Sequence, residues 1–402
     1  MFHIIVNPVG ASGNTGRIWE ETEPVFAASG QPYTVHRSSA GHGITEICRE
    51  LTDTCDNPLR ATQSTGTPST AENRPDCPEA AAEFPVRGAN TLLAEENDSG
   101  CIDLVIVGGD GSLNEALNGI RDISRVRLGF IPAGSGNDLA RDLNLPKNPA
   151  AVAQRILEGR VCRTSDVGVA ECSGVADAQQ AGSGAGTASP DTATPGTDAA
   201  APEGAILRRR FLTSCGMGFD AAICEYVSRA PLKKLLNALH LGKLIYLMGA
   251  LHLIFRYRNQ GLTVCYDGKR TVRYPRVLLA VAMNHCYEGG GFRFCPHADP
   301  ADGLLDTCIA DPKTNFAFFR VFPSAYSGRH LKYSVVHEDR GHQIEFTSPI
   351  PLWIHTDGEV NCRALLCRAR EKLGKEVEEG ERRLCRNGAR QPPLHGDVQT
   401  KG

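Results

Sequence analysis

The sequence contains no run of about 18 uninterrupted apolar residues, so no segment reads as a membrane span. The nearest approach, residues 244–255, is interrupted by His252 and reads as a core helix or a helix lying on a membrane surface. There is no CxxC pair and no Cys/His ligand spacing among the 15 cysteines, which scatter from Cys48 to Cys385. That pattern excludes a zinc module and argues against a disulfide framework. The first residues show neither a basic n-region nor a long apolar h-region. Together with the scattered thiols, this points to reduced cysteines and a cytosolic compartment. Charge of one sign is also missing: 43 Lys and Arg stand against 46 Asp and Glu, a net −3, which gives no overall field for nucleic acid. Two nucleotide fingerprints are absent as well. G-x-x-x-x-G-K-[ST] fails because Arg17 stands where Lys-Ser would, and G-x-G-x-x-G is not completed at Gly134 or Gly216. Walker-type NTPases and Rossmann dehydrogenases are thereby set aside.

What is present is a hydrophobic share of 41%, enough for a buried core, over a 402-residue length that suggests two domains. In the first half, strand-like runs at residues 3–6, 33–36, 102–107 and 127–131 alternate with helical patterns near 18–29, 44–52, 113–120 and 137–143. Such alternation predicts parallel βαβ units. The unbroken Ile/Val/Leu run at 102–107 suits a strand buried on both faces. Residues 53–100 and 171–204 break the rhythm. Their composition buries too little apolar surface to offset chain ordering, so both are expected to be flexible insertions. Beyond them, short strands at 210–214, 262–266, 277–283, 305–310, 343–346 and 352–355 predict a mainly antiparallel domain. A helical stretch at 232–257 interrupts it, and residues 232–258 set Lys233, Lys234, Lys243, Arg256 and Arg258 around many Leu, Ile and Met. That pattern fits a membrane-surface helix and a core helix with solvated lysines equally. The tail, 363–402, is charged, and its first half could be a helix.

Strand 102–107 runs directly into Gly108-Gly109-Asp110-Gly111-Ser112-Leu113-Asn114. A glycine turn between a buried strand and a helix exposes N–H groups at the positive helix end, which makes an anion site. Asp110 would repel a bare phosphate and so acts through a metal ion or an ordered water; Ser112 and Asn114 can donate to phosphate. The next strand repeats the arrangement in Pro132-Ala133-Gly134-Ser135-Gly136-Asn137-Asp138-Leu139-Ala140-Arg141, where Ser135 or Asn137 could simply cap the helix. A third loop, Asn7-Pro8-Val9-Gly10-Ala11-Ser12-Gly13, follows the first strand. Three such loops belong at the carboxyl edge of a parallel sheet, where α/β folds bind ligands. Further on, Asp299 and Asp302 bracket a turn that the Leu304 carbonyl could join around Mg²⁺, although Asp also serves turns without a metal. Asp357-Gly358-Glu359 follows a strand; the dipeptide is a hairpin signal and equally a place for a catalytic carboxylate.

These segments resemble the diacylglycerol kinase catalytic-domain family, which is related to the sphingosine and ceramide kinases and to bacterial lipid kinases. The resemblance lies in Asn7-Pro8…Gly13, in Gly-Gly-Asp-Gly-Ser, and above all in Pro132–Arg141. It continues through Gly216-Met217-Gly218-Phe219-Asp220-Ala221, Asn284…Gly289-Gly290-Gly291, Pro296…Asp302-Gly303-Leu304-Leu305-Asp306 and Asp357-Gly358-Glu359, in the family's order. It implies an α/β N-terminal domain that binds ATP and a β-rich, antiparallel sandwich-like C-terminal domain, with the active site in the cleft between them. The implied nucleotide ligands are Asn7, Pro8, Gly13, Ser38, Gly108, Gly109, Asp110, Gly111, Ser112, Asn114, Gly134, Ser135, Asn137 and Asp138. Ser38 or Ser39 stands only approximately where many relatives place a threonine. Asp357 is named first as the base that takes the acceptor's proton, with Glu359 next and Asp110 as the third catalytic carboxylate. Asp299, Asp302 and Leu304 would hold a structural cation.

The expected activity is transfer of the ATP γ-phosphate, with Mg²⁺, to a hydroxyl of a membrane lipid, diacylglycerol foremost. A sphingoid-base kinase, an NAD kinase-like enzyme and an inactive nucleotide-binding regulator are the alternatives. The expected domains are residues 1–147, 148–362 and a tail at 363–402 that returns to the first domain. The enzyme would be cytoplasmic and peripheral to the inner membrane face, without a nucleic-acid partner and with a homodimer admissible.

Overall fold

The computed structural model describes residues 1–8, 10–53, 101–159, 163–178, 206–229, 249–254 and 256–371. Four parallel strands, β1 (Phe2–Val6), β2 (Tyr33–Arg37), β3 (Ile102–Gly108) and β4 (Val126–Pro132), lie in the order β2-β1-β3-β4. Alternate residues go to opposite faces. Ile4, Val6, Val105 and Val107 pack on Trp19 and Phe26 of α1 (Asn14–Ala28) and on Val152 and Ala153 of α5 (Pro149–Leu157). Ile5, Leu104 and Ile106 pack instead on α2 (Ile44–Asp53), α3 (Asp110–Gly119) and α4 (Asp138–Asp142). Both faces are covered, which is why these strands read as continuous apolar runs. The chain turns to opposite sides of the sheet from β1 and β3, so their loops flank the topological switch point.

The second sheet is antiparallel and has ten strands: β5 (Gly168–Ala178), β6 (Leu207–Phe211), β7 (Ser214–Met217), β8 (Gln260–Tyr266), β9 (Arg270–Val277), β10 (Leu279–Met283), β11 (Leu305–Ala310), β12 (Val336–Gly341), β13 (Gln343–Thr356) and β14 (Glu359–Glu371). Their order is β12-β11-β10-β7-β13-β14-β5-β6, with β8 paired to β13 and β9 to β8. One core, with Phe211, Met217, Val264 and Phe346, lies within this sheet; a second joins Leu279, Val281 and Met283 to Phe219 of α6 (Phe219–Arg229) and to Phe318. The expected pair of domains, α/β then antiparallel, is what the chain forms.

Several boundaries differ from the expectation. Residues 171–178 are not insertion but strand: β5 pairs with β6 and β14, and Glu171 meets Arg208 and Arg370. Helix α5 packs on the parallel sheet, so the first domain runs past residue 147. The expected strands at 343–346 and 352–355 are one bulged strand, β13. The tail begins as strand, because Cys367 and Ala369 are buried in alternation with Arg368 and Arg370, a period of two hidden by its arginines. The remaining residues of both expected insertions, 232–248 and 255 of the helical stretch and the tail after 371 lie outside the described residues. No described helix is long and apolar enough to cross a membrane.

Candidate active site

β1, β3 and β4 each end in a glycine loop that starts a helix, and the three loops meet at one edge. Gly13 has φ 89°, a left-handed value that side chains resist, and turns the chain into α1. Asn14 Nδ2 then donates to Ala133 O at 3.2 Å, and Ala133 N donates to Gly108 O at 2.7 Å, tying the loops in a row. Gly109 and Gly134 meet backbone to backbone: a Cβ on Gly134 would lie 2.8 Å from Gly109 Cα. Ser38 N donates to Val6 O at the end of β2, beside the first loop. Asn137 precedes α4 at φ 50° and donates from Nδ2 to Gly134 O, while Ser135 is exposed. The expected ligands from Asn7 and Pro8 through Ser112 and Asn114 to Asp138 thus share one edge, with the N-terminus of α3 among them.

Contacts between the domains close the cleft around this edge. Asp138 Oδ2 accepts from Gly290 N at 2.7 Å while its Oδ1 holds Arg141 at 2.6 Å. Asp142 Oδ2 lies 2.6 Å from His285 Nδ1. Asp110 opens α3 with Oδ1 buried and unpartnered. Burial first, then the Asp138 carboxylate, pushes its pKa up to about 7.

Asp357 and Gly358 form the two-residue turn between β13 and β14, with φ 51° and 80°, as a type I′ hairpin requires. The hairpin and site readings therefore coexist. The Asp357 carboxylate accepts from the backbone N–H groups of Leu212 (3.0 Å), Thr213 (2.7 Å) and Ser214 (3.1 Å), and from Asn114 Nδ2 (2.8 Å). Four donors fill the roughly four lone-pair positions of a carboxylate. Asp357 thus fastens α3 to the β6–β7 turn and keeps no lone pair for a proton. Glu359 is exposed, and a methyl group on Gly111 would collide with its Oε1, so this carboxylate lies against the nucleotide loop. Burial, then the Glu359 charge, raises Glu115 to about 7.

Behind the turn lies a group the sequence reading missed. His355 Nε2 stands 2.8 Å from Asp220 Oδ2 and 3.1 Å from Glu288 Oε1. Gly358 N donates to His355 Nδ1 at 3.1 Å, which assigns the proton of a neutral imidazole to Nε2. Nε2 then has no lone pair for a metal, although the three side chains converge as ligands could. Burial, and then the neighbouring Asp220 carboxylate, push Glu288 up to about 7. His355 thereby fixes Gly358, and with it the turn that presents Glu359. A Cβ on Gly216 would strike both Asp220 and His355, which accounts for that glycine. Asp220 and Glu288 lay inside quoted motifs, yet only the fold brings them to His355.

The turn expected to hold a cation is braced otherwise. Asp299 Oδ1 accepts from Arg163 at 2.7 Å and from Ala301 N at 3.2 Å. Asp302 Oδ1 accepts from Leu304 N at 2.9 Å, with Arg340 3.8 Å from its other oxygen. Asp299, Asp302 and Leu304 thus serve the turn itself, with Arg163 and Arg340 facing the two carboxylates.

Two family models match the chain. The diacylglycerol kinase catalytic domain matches residues 75–170, and the YegS C-terminal NAD kinase beta sandwich-like domain matches residues 213–367. Asn7, Pro8, Gly13 and Ser38 fall outside both ranges, so their assignment rests on the loop geometry. A diacylglycerol kinase of Mycobacterium tuberculosis is 27% identical over 276 residues, 68% of this chain and 75% of that one. A diacylglycerol kinase of Bacillus subtilis is 25% identical over 274 residues, covering 68% and 76%. The crystal structure of a diacylglycerol kinase from Bacillus anthracis superposes with a TM-score of 0.52 at 18% identity, over 92% of each chain, and shares the fold.

Proposed function

Because the chain belongs to the diacylglycerol kinase catalytic-domain family of lipid kinases, we propose that it transfers the γ-phosphate of ATP to the free hydroxyl of diacylglycerol, giving phosphatidic acid and ADP. The observation that carries this reading is the Asp357–Asn114 bond, which sets Glu359 of the second domain against Gly111 of the nucleotide loop. Backbone N–H groups of the three glycine loops and the start of α3 bind the phosphates. Mg²⁺ enters with ATP as part of the substrate and offsets phosphate charge. Asp110 fits a role beside it, being a buried carboxylate with an unpartnered oxygen next to Asp138. Glu359 takes the acceptor's proton as its oxygen bonds to the γ-phosphorus and the bond to the β-phosphate oxygen breaks. His355, Asp357 and Asn114 hold the parts in register.

The test is transfer of label from γ-labelled ATP to a panel of diacylglycerols, sphingoid bases, ceramide and NAD. Label in phosphatidic acid is expected; label only in a sphingoid base or in NAD would overturn the choice of acceptor. A second expectation follows from β5, which continues beyond its last β6 pair, Cys172↔Leu207, to Ala178, roughly 20 Å at about 3.3 Å per residue. Replacing residues 180–204 with about eight Gly and Ser spans that distance, and should leave turnover within about threefold, because the removed composition buries little. A deletion from residue 171 removes paired strand and should give insoluble protein; soluble, active protein from that shorter chain would contradict the pairing.

A further inference from the structure

Residues 312–335 contain Lys313, Arg320, Arg329 and Lys332 and no Asp or Glu, in a chain whose acids outnumber its Lys and Arg. The segment forms the helix Asn315–Val321 and two 3-10 turns, Phe322–Ser327 and Arg329–Lys332. Phe318 and Val321 point into the core, whereas Phe316 (64% exposed), Phe319 (38%), Tyr326 (56%) and Tyr333 (45%) stand in water. They are four of the ten large hydrophobic side chains exposed among the described residues. Phe316, Phe319 and Arg320 share one helix face at spacings of three and four. The flanking acids are engaged: Asp311 lies 2.9 Å from His337 and Glu338 3.1 Å from His297.

The segment also reaches the candidate active site. Tyr326 packs on Phe292 with ring centroids 4.0 Å apart and the rings tilted by 34°, and it lies beside Gly291 in the turn whose Gly290 bonds Asp138. We propose that residues 312–335 are the surface by which the enzyme docks on an anionic lipid bilayer, with Phe316 and Phe319 in the headgroup layer and the four cations on its phosphates. This rests on the lipid-kinase reading and names the face that meets the membrane. Apolar burial and attraction to anionic lipid act together in such contacts, and exposed aromatics suit the interfacial layer. An acidic protein partner would match the cations but would leave the aromatic face without its apolar medium. The expected basic helix at 232–257 lies largely outside the described residues; Asn315 Nδ2 donates to Ile254 O and Tyr257 O at its end, so this surface adjoins it.

The test is sedimentation of the full chain, without ATP, with vesicles of phosphatidylcholine alone or mixed with phosphatidylserine. Wild type should bind the mixed vesicles at least about tenfold better, and the preference should shrink as salt shortens the screening length. The variant K313Q/R320Q/R329Q/K332Q should lose most of it, each charge contributing up to about fivefold, and F316S/F319S should bind both vesicles more weakly. Both variants should phosphorylate a short-chain, water-dispersed diacylglycerol within about threefold of wild type. Equal vesicle binding by wild type and variants overturns the proposal, as does parallel loss of vesicle binding and dispersed-substrate turnover. Vesicle binding without phosphorylation of any lipid would remove the proposed acceptor and leave the surface standing.

Discussion

Glu359→Gln is expected to lower kcat by on the order of 10²–10⁴-fold, the usual cost of removing a general base, while the Kd for ATP stays within about twofold. The carboxylate is exposed and lies against Gly111 of the nucleotide loop, on the side where the γ-phosphate would sit. Asp357→Asn should behave differently. An amide oxygen replaces one carboxylate oxygen, and an NH₂ group is turned toward donors, so of the bonds to Leu212, Thr213, Ser214 and Asn114 about half are lost. Hydrogen bonds to a charged group contribute roughly 1.5–3 kcal/mol each, so this variant should melt several degrees lower and lose nucleotide affinity together with kcat. Thermal melts, ATP titrations and initial rates on both variants separate the roles. Normal kcat in Glu359→Gln would remove it as the base. A selective kcat loss in Asp357→Asn, with normal melting, would show that Asp357 is the base despite its four donors.

The sequence made the parallel sheet and its three loops legible because both signals are local. Buried strands read as apolar runs, and a strand–glycine–helix order specifies an anion site without knowledge of distant residues. Asp357 and Glu359 were legible as a pair but not as different in role. What separates them is the β6–β7 turn, some 145 residues away in sequence, whose N–H groups converge on Asp357. His355 was silent for the same reason, since its partners Asp220 and Glu288 come from two other elements. Strands β5 and β14 were misread because small, polar and charged residues on their outward faces masked a period of two that only pairing reveals. The turn at Asp299 shows the converse. Its motif was plain, but Arg163 and Arg340, which face its two carboxylates, lie outside the motif in sequence.

Asp110→Asn is expected to lower turnover by about 10²–10³-fold, the scale for losing one preorganised electrostatic group, and at the same time to make the ligand-free protein more stable above pH 7. An unfolded Asp ionises near pH 4, whereas burial and Asp138 hold folded Asp110 up at about 7. Between those values the folded chain keeps a proton that the unfolded chain has lost, so its stability falls as pH rises from about 4 to 7 and levels off above. At about 1.4 kcal/mol per unit the penalty reaches a few kcal/mol at most, which corresponds to several degrees in Tm. Asparagine carries no such charge, so the variant should melt higher than wild type at pH 8 and match it near pH 4. Glu115 and Glu288 are pushed up to the same range, so the variant keeps part of the slope. Mg·ATP should raise the Tm of wild type more than that of the variant, because binding stabilises only in proportion to affinity for the folded state. Melts at pH 4.5 and pH 8, with and without Mg·ATP, together with initial rates, read all of this. An equal stability difference at both pH values would show that the buried charge is not its source, and undiminished turnover would place Asp110 outside the reaction.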